Sequence, residues 1–78
     1  MADWVTITDD SGHCREDLGH WLPREGQRVL FNARGTVHVG TFHPGFGGSG
    51  HFRSLGNGTN FRVAAGEPCE VVRWLGTD

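Results

Sequence analysis

Apolar and polar positions alternate in short runs along this chain, and most of the runs close on glycine, proline or asparagine. The clearest case lies between residues 21 and 42, WLPREGQRVLFNARGTVHVGTF. Pro23 fixes its own backbone, and Gly26 admits a turn conformation closed to other residues. Arg28-Val29-Leu30-Phe31 is apolar and β-favouring, so it predicts a strand. Asn32-Ala33-Arg34-Gly35 has turn chemistry, with Gly35 where a positive φ is often needed. Thr36-Val37-His38-Val39 alternates, which puts Val37 and Val39 on one face and Thr36 and His38 on the other. Gly40, inside this second strand, reads as a bulge or a sharp bend of the kind small barrels use at corners.

The rest of the chain can be laid against that hairpin. Trp4 to Thr8 alternates and predicts a first strand, ended by Asp9-Asp10-Ser11-Gly12. His13 to Gly19 predicts one helical turn, with Ser11 as cap and Gly19 as terminator. Such a turn is too short to be stable alone. Further strands are predicted from His51 to Leu55, Thr59 to Val63 and Cys69 to Leu75, separated by Gly56-Asn57-Gly58 and Ala65-Gly66-Glu67-Pro68. The reading is a mainly β chain: a small antiparallel sheet or SH3-like half-open barrel of five to six short strands, with at most one short helical turn near residues 13–19.

Three groups of residues carry a family resemblance: Trp4-Val5, then Leu22-Pro23-Arg24-Glu25-Gly26-Gln27-Arg28-Val29-Leu30, then Val71-Val72-Arg73-Trp74-Leu75. With these the chain resembles a family of short, uncharacterised phage and prophage proteins. Their pattern opens on a Trp-hydrophobic pair, runs through Leu-Pro-x-x-Gly-x-x-Val-Leu and closes near a Trp close to the end. This chain differs in the added segment around Asp10 to His20 and in Arg73 before the closing Trp. The resemblance implies a viral or prophage origin and a stand-alone role in a bacterial cytoplasm. It implies no activity.

Length adds a bound. A chain of 78 residues makes one domain, 1–78, and so small a domain has a marginal core. Three Trp and five Phe offset this, since each aromatic buries roughly 150–250 Å². No apolar run is long enough to span a membrane. The first ten residues lack a basic region followed by an apolar core, so they do not read as a secretory signal.

Charge changes the picture more than composition does. The net charge of −2 argues against a strong nucleic-acid binder, but its distribution is uneven. Residues 1–25 carry a net −4, residues 26–66 four Arg and no acid, and residues 67–78 a net −2. A basic block therefore lies between acidic ends, either to be neutralised by them on folding or to meet a partner. All seven basic residues are Arg, which fits either a GC-rich genome or selection for bidentate recognition of carboxylate and phosphate.

Within the block, Phe52-Arg53, Phe61-Arg62 and Arg73-Trp74 (the last just beyond it) repeat one theme. Neighbouring strand residues point to opposite faces. Aromatics facing the core would leave Arg53, Arg62 and Arg73 in solvent, gathered into one cationic surface. Trp21, beside Pro23, reads as a core anchor or an exposed contact. Residues 44–50, PGFGGSG, read as a flexible loop whose Phe46 either tucks into the body or presents itself to a partner.

Catalytic and cofactor chemistry finds little support. Gly45-x-Gly47-x-x-Gly50 has a dinucleotide-binding spacing, yet His51-Phe52-Arg53-Ser54-Leu55 does not continue it as the required helix. Cys14 and Cys69 could bond, closing a long loop worth roughly 4 kcal/mol, but the cytoplasmic location implied argues for free thiols. His13, Cys14, His20 and Cys69 lack the paired spacing of a zinc site. Ser11, His13 and Asp17 sit on no triad scaffold. The expectation is no enzyme, no cofactor and no metal.

The chain is accordingly expected to be a small cytoplasmic binding module. Its expected partner is a protein of the bacterial host or the phage, met for instance as an inhibitor of a host defence complex, through Arg53, Arg62, Arg73, Phe46 and Trp21. Two alternatives are kept: weak nucleic-acid binding through the 26–66 block, and a homo-oligomeric assembly protein joined through a strand edge. No membrane partner is expected.

Overall fold

Six antiparallel strands form one curled sheet in the computed structural model, which describes residues 3–77. They are β1 (Val5–Thr6), β2 (Arg28–Ala33), β3 (Thr36–Pro44), β4 (Gly50–Ser54), β5 (Asn60–Val63) and β6 (Val71–Gly76), in the order β1-β6-β2-β3-β4-β5. β5 and β6 approach each other across the open side, so the sheet is a half-barrel, as its strand pattern predicts. The Cα radius of gyration is 11.0 Å, close to the ~11.5 Å of one compact domain of this length.

The inner face is set by the phase of the aromatics. Val29, Phe31 and Ala33 on β2, Phe42 on β3, Phe52 on β4 and Phe61 and Val63 on β5 are all buried. Phe31 lies 5.2 Å from Phe52 and 5.6 Å from Phe61, ring centre to ring centre, and Phe42 lies 5.0 Å from Phe52. The N-terminal third fills the concave side, bringing Ile7, Cys14 and Leu18 into the same core, with Trp21 and Leu22 packed against it.

Three local expectations change. Gly40 makes no bulge, since the β2–β3 and β3–β4 registers run through it unshifted. It is a glycine because a Cβ there would strike the Arg53 carbonyl oxygen and come within 2.8 Å of the Phe31 ring. The irregularity falls instead between Asn32 and Ala33, where β2 meets β6. The helical turn is a 3-10 turn at Leu18–Trp21 rather than over residues 13–19. Ser11 does not cap it. Its hydroxyl and amide both donate to Asp9 Oδ1, at 2.7 and 2.9 Å, while His13 and Cys14 form bridges to Pro68 and Thr8. Finally, Cys14 and Cys69 are not free thiols. They form a disulfide, with their Cα atoms 5.1 Å apart. The two short bridges beside Cys14 bring the N-terminal segment and the 65–70 turn close enough to join.

The turn between β2 and β3 is tighter than the sequence suggests. Strand pairing continues to Ala33–Thr36, leaving only Arg34 and Gly35 in the loop. Both have positive φ, 52° and 78°, the type I′ geometry that matches strand twist. Arg34 accepts this conformation while its guanidinium donates to Glu70 Oε1 at 2.8 Å. The other carboxylate oxygen, Glu70 Oε2, accepts the Arg62 amide of edge strand β5 at 3.1 Å.

Candidate binding surface

Once the aromatics fix the inward phase, the outward positions follow from register. Arg28 on β2 lies opposite Thr41 on β3, Thr41 opposite Arg53 on β4, and Arg53 opposite Asn60 on β5. The next outward row toward the glycine loop reads His43, His51, Arg62. On the other side of the Arg28 row, Leu75, Leu30 and Val39 stand opposite one another on β6, β2 and β3. Leu55 extends this line, its amide donating to the Val39 carbonyl at 2.9 Å. Beyond it come Thr6, Arg73, Asn32 and Val37.

The outer face is therefore an aliphatic row flanked by arginines. Val39 and Leu55 keep 42% and 49% of their surface exposed, values that are high for side chains with nothing polar to offer water. Arg28, Arg53, Arg62 and Arg73 are exposed. Among the described residues, no Asp or Glu occupies an outward strand position on this face.

The acids lie at its margin. Glu70 takes Arg34, and Glu67 takes Arg62 at 3.5 Å. The C-terminal acids thus neutralise half of the basic block, and no described acid pairs with Arg28 or Arg53 within 4.0 Å.

The three arginines expected to act together share this face but not one spot. Arg53 and Arg62 are diagonal neighbours on adjacent strands. Arg73 is on β6, with β2 and β3 between it and β4, and its guanidinium stacks on the Trp4 ring at 5.1 Å. Trp21 realises the anchor reading. It is half-buried against the core beneath the Arg15 guanidinium, 4.1 Å away, and its Nε1 donates to Asp17. Phe46 realises the exposed reading, with 98% of its surface free at the loop tip. Gly50 is the first residue of β4, so the glycine spacing of residues 45–50 leads into a strand and not a helix.

The sequence reading missed His43 and His51. Their rings stack 5.0 Å apart at 21°, and His43 Nε2 shares a 2.9 Å hydrogen bond with the Thr41 hydroxyl. Burial first, then the positive fields of His43 and Arg53, hold the His51 pKa below its ordinary value. A signal for this pair existed. Val37, Val39, Thr41 and His43 keep one alternation, visible if β3 runs through Gly40 without a bulge or bend.

Among the described residues, no group of three or more His, Cys, Asp or Glu side chains is placed to hold a metal, and both cysteines are spent on the disulfide. No helix among them is long and apolar enough to cross a membrane. Against this geometry, comparison with protein-family models, curated proteins and solved structures returns no match.

Proposed function

We propose that this chain is a small binding module that engages a protein partner through the outer face of its sheet. The supporting observation is the aliphatic row Leu75–Leu30–Val39–Leu55, which crosses β6, β2 and β3 and reaches the turn after β4, bordered by Arg28 and Arg53. An apolar centre with an arginine rim is how protein interfaces are commonly composed. Burying such a row stabilises a complex, and the rim speeds encounter with a negatively charged surface. The resemblance to phage proteins makes a bacterial host protein, such as a component of a defence complex, the partner to test first. A cytoplasmic site of action sits poorly with a persistent disulfide, so both cytoplasmic and periplasmic host fractions belong in the search.

The test is capture of a host protein by the tagged chain, repeated with Val39→Glu and Leu55→Glu. Both side chains are exposed, so the variants should keep the fold, which circular dichroism checks. Capture by the wild type and loss with either variant supports the reading. Capture unchanged in both moves the site off this face.

Nucleic-acid binding is the second reading, favoured by a face with arginines and no described outward acid. Its weakness is chemical: aliphatic side chains offer bases no stacking platform. Binding of an oligonucleotide that falls steeply with added salt would favour it over the first reading.

A further inference from the structure

Below the aliphatic row, every outward side chain on β3, β4 and β5 can donate a hydrogen bond. The positions form two ladder rows, Thr41–Arg53–Asn60 and His43–His51–Arg62. Directly opposed positions in such rows lie about 4.5–5.5 Å apart, close enough for one ligand group to touch two of them. The acids nearby are already engaged. Glu70 accepts from the Arg34 guanidinium and the Arg62 amide, and Glu67 pairs loosely with Arg62 where both are exposed. Exposed pairs of that kind exchange readily for another carboxylate.

We propose that the patch of Thr41, His43, His51, Arg53, Asn60 and Arg62 receives the carboxylates of an acidic segment of the protein partner, and that the His43–His51 pair tightens this docking as pH falls below neutrality. The inference rests on the protein-binding reading above and names the partner's chemistry. An extended segment repeats the same face every second residue, about 6.6–6.8 Å, which is also the spacing of the outward rows. A segment of the form Leu-x-Glu-x-Glu therefore sets its leucine on Val39 and Leu55 and its two carboxylates on the two donor rows. Continuity with the aliphatic row is what favours an acidic polypeptide over a nucleic acid.

The pH response follows from what surrounds the histidines. His51 faces His43 on β3, Arg53 on its own strand and Arg62 across on β5. Glu70 borders the same depression as His51, but its carboxylate is taken up by the Arg34 guanidinium and the Arg62 amide. Burial and the positive fields of His43 and Arg53 prevail, so His51 resists protonation in the free protein. A carboxylate laid over the pair reverses that field, so binding draws a proton onto the ring.

The experiment is a titration of the ¹⁵N-labelled full chain with the peptide acetyl-Ser-Leu-Ser-Glu-Ser-Glu-Ser-amide and with its Gln counterpart, at about pH 5.8 and at pH 7.5. The expected result is a set of amide shifts at residues 41, 43, 51, 53 and 62 with the Glu peptide. Affinity should drop about threefold or more with the Gln peptide and with Arg53→Gln, the scale of an exposed charge pair. It should weaken at the higher pH, and the double variant His43→Gln, His51→Gln should lose that pH dependence. No shifts at millimolar peptide, or equal shifts with the Gln peptide, overturn the proposal. Stronger perturbation of the patch by oligothymidine or inorganic phosphate also overturns it. Shifts at Val39 and Leu55 with both peptides alike would keep the protein-binding reading and sink this one. Shifts confined to the patch, with Val39 and Leu55 unmoved, would keep the carboxylate docking and take the aliphatic row out of the site.

Discussion

The indole Nε1 of Trp74 donates to the backbone carbonyl of Trp21 at 2.7 Å, joining the last strand to the segment that fills the barrel mouth. The bond is half-buried, and the two residues are 53 positions apart in sequence. Trp74→Phe keeps most of the apolar surface but leaves that carbonyl without its partner. The expected cost is about 0.5–1.5 kcal/mol, read from the midpoint of urea unfolding.

Reduction of Cys14–Cys69 should destabilise far more. The bond closes a loop across a sequence separation of 55, and a loop of this size constrains the unfolded chain by about 4 kcal/mol. For a domain this small, that corresponds to a drop in Tm of more than about ten degrees. Melting the protein with and without dithiothreitol measures it. A Tm unmoved by reductant would mean that the bond does not constrain the chain in solution.

Gly40→Ala places a methyl group against the Arg53 carbonyl and 2.8 Å from the Phe31 ring. One neighbour is backbone and the other a buried core ring, so neither yields cheaply. The substitution should cost at least about 1–3 kcal/mol. By contrast, Gly35→Ala is strained by φ alone, since nothing lies within 4 Å of its Cβ position. Equal stability of Gly40→Ala and the wild type in chemical denaturation would contradict the packing described.

Stability should also depend on pH. The folded-state pKa of His51 lies below its unfolded value of 6.5, so the unfolded chain binds more protons between the two. Stability is therefore full above about pH 6.5 and falls as pH drops through the depressed value. His51→Gln should flatten this limb in thermal melts between pH 7.5 and 5.5. A further acid limb belongs to Asp9. The Ser11 hydroxyl foremost holds its carboxyl below the ordinary 3.8, and this contribution is lost as pH falls under that value.

Strand positions were legible because the chain writes them twice, once in alternation and once in punctuation. Phe52-Arg53 and Phe61-Arg62 alternate as read, with each ring buried and each arginine exposed. Facing was harder to read. Val37 and Val39 invite an inward reading, yet they are exposed, and His38 turns in to stack on Phe31 at 5.3 Å. The register Phe31–His38 decides this, because one strand's phase is fixed by the bulkier neighbour across the ladder.

The outer face was only partly legible for the same reason. Which strands are neighbours is a tertiary fact, and β6 inserts between β1 and β2 without a local signal in the sequence. That insertion separates Arg73 from Arg53 and Arg62. It also brings Leu75 beside Leu30, a pairing no spacing along the chain announces. The Cys14–Cys69 bond was not legible either, since 55 positions separate the two residues and only the fold brings their Cα atoms to 5.1 Å.

The carboxylate of Glu70 sits where a visiting strand would look for its first amide. A backbone from another molecule trying to lengthen the sheet past β5 meets a proton already given away at Arg62, and a negative charge beside it. Along β5 the molecule thus carries its own stopper against fibril-like stacking.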